Sequence, residues 1–412
     1  MAMAPRPPLM TLDDALAQLL SGVAPLQDAE VVDTLDADGR VLAQDVVSEL
    51  HVPPQDNSSM DGYAVRTTDV PEAGVVLQVT QRIAAGSSGH PMSPLSAARI
   101  FTGAPIPPGA DAVVMQEDCE VGNDCEGGVR LNAVPTAGQW IRRAGEDVAR
   151  GSVVLHSGER LHPAALGLAA SVGMAKLAVT RRPRVALFST GDELVMPGQK
   201  APQDMPPGAI YNSNRFFLAA LLHRLGCDVT DMGIVPDQRD ATVEALRNAA
   251  QSHDVILTSG GVSVGEEDHI KPAVQSLGSL DLWQIAIKPG KPFAHGRIGN
   301  AHFLGLPGNP VSSYVTFLVL VRPFLLKLQG VSNIAMKSVA ARADFTWARA
   351  DKRREFLRVR RNPQGGLDLF PNQSSGVLTS AVWADGMVDN PAGRTIAPGD
   401  VVQFVAFSEA MA

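Results

Sequence analysis

The chain has 412 residues, more than one ordinary domain holds, so three or four domains are expected. It is 45% hydrophobic and 19% charged, which allows substantial cores, and its net charge of -8 argues against wholesale nucleic-acid binding. An anionic substrate on so acidic a protein needs a local basic pocket or a metal.

The three cysteines Cys119, Cys125 and Cys227 are too few for a disulfide framework and suit a reducing cytoplasm. Cys119 and Cys125 lack a second Cys/His pair at zinc spacing. Residues 1–10 carry prolines and no long apolar core, so no signal peptide is expected. The strongest apolar stretch, residues 315–326, is broken by Arg322 and Pro323 and reads as too short to span a membrane.

In chain order, Thr11 is placed as N-cap of a helix, with Asp14 three residues on and Leu12, Leu16, Leu19 and Leu20 on one apolar face. From residue 51 to 147, short β runs at 75–80, 112–116 and 129–131 alternate with Gly/Pro turns, the texture of a small β domain. A Pro-started apolar helix is expected at 163–172. The flanking segments 1–50 and 148–180 then form one discontinuous domain with the β domain inserted. Residues 181–329 alternate strand and helix. Strands are expected at 185–189, 229–234, 255–258, 282–287 and 303–306, and helices at 214–225, 241–250 and 311–328. Alternation of this kind means a sheet covered on both faces. Residues 330–412 return to short strands. The fold class is multi-domain α/β plus β: a central three-layer α/β/α domain with a mostly parallel sheet, an inserted small β domain and a C-terminal β domain.

Open α/β sheets bind ligands beyond the carboxyl ends of their strands. Four segments end there: Ser189 to Leu194, Val235 to Asp237, Ser259 to Asp268, and Leu306 to Ser312. The third is the most informative. An apolar strand opens into a loop containing Gly260, Gly261, Ser263 and Gly265 and closes on Glu266, Glu267 and Asp268. Glycines let backbone N–H groups approach an anion, and carboxylates beside a phosphate call for a divalent cation. Asp192, Glu193, Asp237 and Asp268 are thus expected near one crevice, with Pro307, Asn309, Pro310 and Ser312 at a helix start suited to an anion. Lys288 and Lys291 sit on a Pro-stiffened turn. Arg354, Phe356 and Arg358 share one face of a basic strand, with Ser375 as a further donor. The segment around Asp61 reads as a β-turn, and Thr102 and Asp147 are unremarkable in isolation. No Rossmann fingerprint, Walker loop or serine-hydrolase elbow is present.

Taken together, the segments 59–64, 101–107, 143–147, 189–194, 259–265, 288–292 and 306–310 resemble the molybdopterin molybdenumtransferase family, bacterial MoeA and the E domain of gephyrin. The resemblance implies an elongated homodimer in the cytoplasm. It implies insertion of molybdate into adenylylated molybdopterin, with Mg²⁺ and loss of AMP, in molybdenum cofactor biosynthesis. Implied partners are a molybdopterin-adenylylating enzyme and cofactor-recipient molybdoenzymes or chaperones, with neither nucleic acid nor membrane. On this reading Asp192, Glu193 and Asp268 hold the metal, with Asp237 beside them. Gly260 to Gly265, Pro307, Asn309, Pro310 and Ser312 bind phosphate, and Lys288 and Lys291 neutralise the anhydride. Arg354, Arg358 and Ser375 are candidates for molybdate. Asp61, Thr102 and Asp147 reach a neighbouring subunit's crevice. The alternatives are adenylylation of molybdopterin and non-enzymatic scaffolding. Without a fused adenylylating domain or long linker, the free-standing bacterial form is expected.

Overall fold

The computed structural model describes residues 9–122, 125, 127–235, 238–261 and 270–410. The first helix spans Leu12–Ser21, and Thr11 caps its start. Asp14 N–H donates to Thr11 Oγ1 at 3.1 Å, and the Thr11 hydroxyl donates to the Asp14 carboxylate at 2.6 Å.

The central sheet runs in the order Asp228–Val235, Arg184–Thr190, Val255–Ser259, Ala301–Leu306, Pro292–Ile298, Gly278–Gln284. The first four strands are parallel, Pro292–Ile298 runs against them, and Gly278–Gln284 is antiparallel to Pro292–Ile298. Strand alternation divides the two cores. Val185, Leu187, Val255, Leu257 and Leu304 pack with Leu12, Leu218 and Leu318 on one face. Ala186, Phe188, Ile256 and Phe303 pack with Leu246 and Val274 on the other. The result is the expected three-layer arrangement.

One strand expectation needs correction, and one strand and one helix fall outside the expectations. The strand placed at 282–287 lies at Gly278–Gln284, and Ile287–Lys288 leaves the sheet to pair elsewhere. The strand Pro292–Ile298 was masked by its leading proline, which is tolerated at a strand's first position. The helix Ile270–Leu277 was hidden in the same way, since Pro272 sits in its first turn.

The apolar stretch near 315–326 is also unbroken. Helix Pro310–Thr316 continues through a π segment, Phe317–Val321, into helix Arg322–Leu328. The wider turn ahead of Pro323 accommodates the missing N–H and the bulk of the ring. This helical run is long and apolar enough to cross a membrane, but 89% of it is buried inside the protein.

Ala29–Asp33 pairs with Lys176–Thr180, and Val46–Val47 with Val153–Leu155, so segments on either side of the β region share one core. Between them lies a six-stranded sheet that contains the three expected runs. It also contains Gly62–Val65, a buried central strand where a turn is expected around Asp61. Gly62 is required there: a Cβ would be driven into the carbonyl of Val114.

In the C-terminal region, Arg354–Arg361, Gly366–Leu369, Val339–Ala343, Val401–Ala406 and Gly386–Asn390 form a closed barrel. Closure comes from the pairing of Gly386–Asn390 with Arg354–Arg361. Leu357 and Val359 fill the barrel, while Phe356 packs into the core of the α/β region.

Candidate active site

The four parallel strands end at one edge, with Ser189 opposite Ser259 and Ser259 opposite Leu306. Beyond that edge lies a crevice of about 550 Å³, lined by Thr190, Gly191, Glu193 and Leu194, by segments 210–214, 259–261 and 307–310, and by Ser312, Ile270 and Pro292. Backbone shape makes room for it. Gly260 and Gly261 have φ of +93° and +68°, and a Cβ on Gly260 would lie 2.8 Å from the Thr190 carbonyl oxygen.

The structure brings together Glu193, Gly260, Gly261, Pro307, Asn309, Pro310 and Ser312 as lining residues. Asp192 is exposed and does not line the crevice. Asp237, Ser263, Gly265 and Asp268 lie outside the described residues. Among the described residues no group of three or more His, Cys, Asp or Glu side chains is placed to hold a metal ion. The Cys119 thiol, pushed up to about 12 by burial, is a poor metal ligand or nucleophile.

The basic residues divide. The Lys288 ammonium pairs with the barrel region, 3.0 Å from Glu355 Oε1 and 3.4 Å from Asp351 Oδ2. Lys291 makes no ion pair among the described residues, and its neighbour Pro292 lines the crevice. The Arg354 guanidinium grips Asp389, with Nε 2.6 Å from Oδ1, and also pairs with Asp13 at 3.0 Å. Its charge is therefore balanced by carboxylates within the fold. Arg358 is the opposite case. It is 1% exposed and donates to Ser380 Oγ and the Phe356 carbonyl; among the described residues it has no carboxylate partner and its Nη2 is unpaired. Burial pulls its guanidinium down to about 10. The Ser375 carbonyl accepts the Val311 N–H at 2.9 Å, which brings the barrel to the rim of the crevice.

Asp61, Thr102 and Asp147 do not line this crevice. Asp61 Oδ1 accepts from Thr102 N at 2.7 Å and Oγ1 at 2.8 Å, and these bonds hold its carboxyl below the ordinary range. Asp147 is exposed.

Sequence reading passed over Asn212 and Asn214. Asn214 Nδ2 donates to Ser259 Oγ at 2.8 Å and to the Gly308 carbonyl at 2.7 Å, tying two rims together. Its Oδ1, Asn212 Nδ2 and Thr190 Oγ1 are buried without partners, a mixed donor and acceptor set on the crevice wall. The available signal was the Asn-Ser-Asn run immediately before an apolar helix. Asn214→Ala is expected to lower kcat/KM about 30-fold, as loss of two buried bonds frees both rims. Steady-state kinetics check this, and a loss under threefold would refute it.

Three family models match the chain: "MoeA N-terminal region (domain I and II)" over residues 10–173, "Probable molybdopterin binding domain" over 186–327, and "MoeA C-terminal region (domain IV)" over 340–407. The chain is 43% identical to the molybdopterin molybdenumtransferase of Haemophilus influenzae over 351 residues, covering 82% of this chain and 85% of that one. It is 37% identical to molybdopterin molybdenumtransferase 2 of Mycobacterium tuberculosis over 390 residues, covering 91% and 93%. A molybdopterin biosynthesis MoeA protein of Pyrococcus horikoshii superposes with a TM-score of 0.84 at 28% identity, over 97% of this chain and all of that one. With its three regions matched in order and the crevice lying within the molybdopterin-binding match, the chain belongs to the MoeA family of molybdopterin molybdenumtransferases, the enzymes of molybdenum cofactor biosynthesis.

Proposed function

We propose that this chain inserts molybdate into adenylylated molybdopterin, releasing AMP, with Mg²⁺ and as a cytoplasmic homodimer. The observation that carries the reading is the crevice wall. Thr190 Oγ1, Asn212 Nδ2 and Asn214 Oδ1 stand unpartnered beside a glycine-rich loop and the start of a buried helix. Such a wall suits a ligand that is part heterocycle and part phosphate.

In this reading Gly260, Gly261, Pro307, Asn309, Pro310 and Ser312 cradle phosphate, and Lys291 supplies positive charge. Glu193 at the crevice and Asp192 beside it offer hard oxygen donors of the type Mg²⁺ prefers, so the residues fit the ion. When bound, Mg²⁺ polarises the anhydride and neutralises the departing phosphate. Ser263, Gly265, Asp237 and Asp268 keep their family-implied roles. Arg358, buried without a counter-ion, is favoured over Arg354 as a molybdate contact. The Asp61–Thr102 pair and Asp147, which do not line their own chain's crevice, serve the crevice of a second copy. The domain division at residues 51, 148, 181 and 330 belongs to the same reading. The substrate comes from a molybdopterin-adenylylating enzyme, and the product passes to molybdoenzymes or their chaperones.

The test is AMP release from adenylylated molybdopterin with Mg²⁺, with and without molybdate. Molybdate-dependent release is expected. Release without molybdate, or none from folded protein, would move the assignment to adenylyl chemistry or to binding alone.

A further inference from the structure

Glu355 is 1% exposed, and a carboxylate so deeply buried needs partners for both oxygens. Oε1 accepts from Lys288 Nζ at 3.0 Å. Oε2 accepts from Trp347 Nε1 at 2.7 Å and from Asn390 Nδ2 at 3.4 Å. Lys288 in turn has Asp351 Oδ2 at 3.4 Å and lies 5.6 Å from the Trp347 ring centroid. Asp351 is itself gripped by Arg353, with Nη2 2.8 Å from Oδ2, so the buried Glu355 is the carboxylate left to answer the Lys288 ammonium. The backbone follows the same path: Lys288 pairs with Glu355 in parallel register, and Arg354 N donates to the Ala286 carbonyl at 2.9 Å.

The turn that Lys288 opens is stiff and tightly packed. Gly290 has φ of +111°, and a Cβ there would press on Thr316 Oγ1, within the helical run that starts at Pro310. The turn ends at Pro292, which lines the crevice. The barrel meets the same rim again where the Ser375 carbonyl accepts the Val311 N–H. Among the described residues, no barrel residue lines the crevice, yet the barrel holds two of its loops.

We propose that Glu355 is a positioning residue for the molybdenumtransferase reaction: it anchors Lys288, and through it the turn that carries Lys291 and Pro292 to the crevice. The proposal rests on the function assigned above. Lys288 is then a tether rather than a ligand for the anhydride.

The experiment compares wild type, Lys288→Gln, Glu355→Gln and the double variant. Each is measured for molybdate-dependent AMP release and for amide hydrogen exchange in residues 285–291. A tether predicts that either single change lowers kcat about tenfold with the molybdate KM within about twofold, and that the double variant is no worse than the poorer single. Exchange in the turn rises in all three variants, while the strand Arg184–Thr190 keeps its protection. Trp347→Phe, which removes one donor to Glu355 but keeps a ring, lowers kcat about threefold in the same direction. It and Lys288→Gln, which alters a half-exposed side chain, carry the test if Glu355→Gln does not fold.

A Lys288→Gln variant with its kcat kept and its molybdate KM raised about tenfold would make Lys288 a ligand and overturn the proposal. So would an additive, roughly hundredfold loss in the double variant, or wild-type exchange in the turn of every variant. Absence of AMP release from the wild type ends the reaction assignment and this role with it. Intact wild-type turnover with an unaltered turn ends the tether alone.

Discussion

Gly260→Ala is expected to cut molybdate-dependent turnover about 100-fold or more. At φ of +93° an alanine is strained wherever it sits, a cost of about 1–3 kcal/mol. Here it also meets backbone. Its Cβ would lie 2.8 Å from the Thr190 carbonyl oxygen and 3.2 Å from Thr190 Oγ1. Thr190 ends the neighbouring strand and opens the Gly191–Glu193 segment, so it has no flexible tip to move aside. The two loops must separate, and a rim shifted by an ångström misplaces every group along it. The check is AMP release measured beside the thermal midpoint. A variant with a lowered midpoint but near-normal turnover would show that the crevice tolerates the displacement and would refute the prediction.

Acid should destabilise this protein through His302, and His302→Phe should remove that part of the sensitivity. His302 is 5% exposed. Its ring meets the edge of Phe324 at 4.9 Å and stacks on His295 at 6.1 Å, and its Nδ1 has no hydrogen-bond partner. Burial first, then Arg297 and His295, pull its pKa from 6.5 down to about 4, with Asp254 opposing. His295 is likewise lowered by burial, with Asp281 opposing and Arg297 assisting. In the unfolded chain His302 takes up a proton as pH falls through about 6.5, whereas in the folded chain it resists to about 4. The unfolded state therefore binds more protons between these values. The stability contributed by neutral His302 is complete above pH 6.5 and is lost as pH falls toward 4. At pH 4.5 the loss amounts to about 2–3 kcal/mol. Urea unfolding of wild type and His302→Phe at pH 7.5 and 4.5 measures it. Phenylalanine keeps the aromatic packing without the titration, so identical pH dependence in the two proteins would sink the prediction.

Local chemistry makes several features legible from the order of residues alone. Thr11 and Asp14 announce their helix because an N-cap is a contact between neighbours in sequence. The strands Arg184–Thr190 and Val255–Ser259 announce themselves as unbroken apolar runs, because both of their faces are buried. Elements that begin with proline, Pro292–Ile298 and the helix around Pro272, escape such a reading because the breaker masks the pattern behind it. Gly62–Val65 escapes it because its glycine answers to the carbonyl of Val114, more than fifty residues away.

The crevice shows the same division. Its glycine loop and its position at the carboxyl edge follow from sequence alone, since parallel strands joined by right-handed crossovers end on one side. Which charges remain available there does not. Lys288, Arg354 and Arg358 are all cations on short strand segments, and their sequence neighbours do not tell their roles apart. Tertiary structure gives Lys288 to Glu355 and Asp351, gives Arg354 to Asp389 and Asp13, and leaves Arg358 buried without a carboxylate among the described residues. Periodicity and turn chemistry act over a few residues, so the sequence by itself determined the elements, the edge and the glycine loop. Charge pairing acts between side chains brought close from distant parts of the chain, and only the folded barrel decided which cations are spent on the fold.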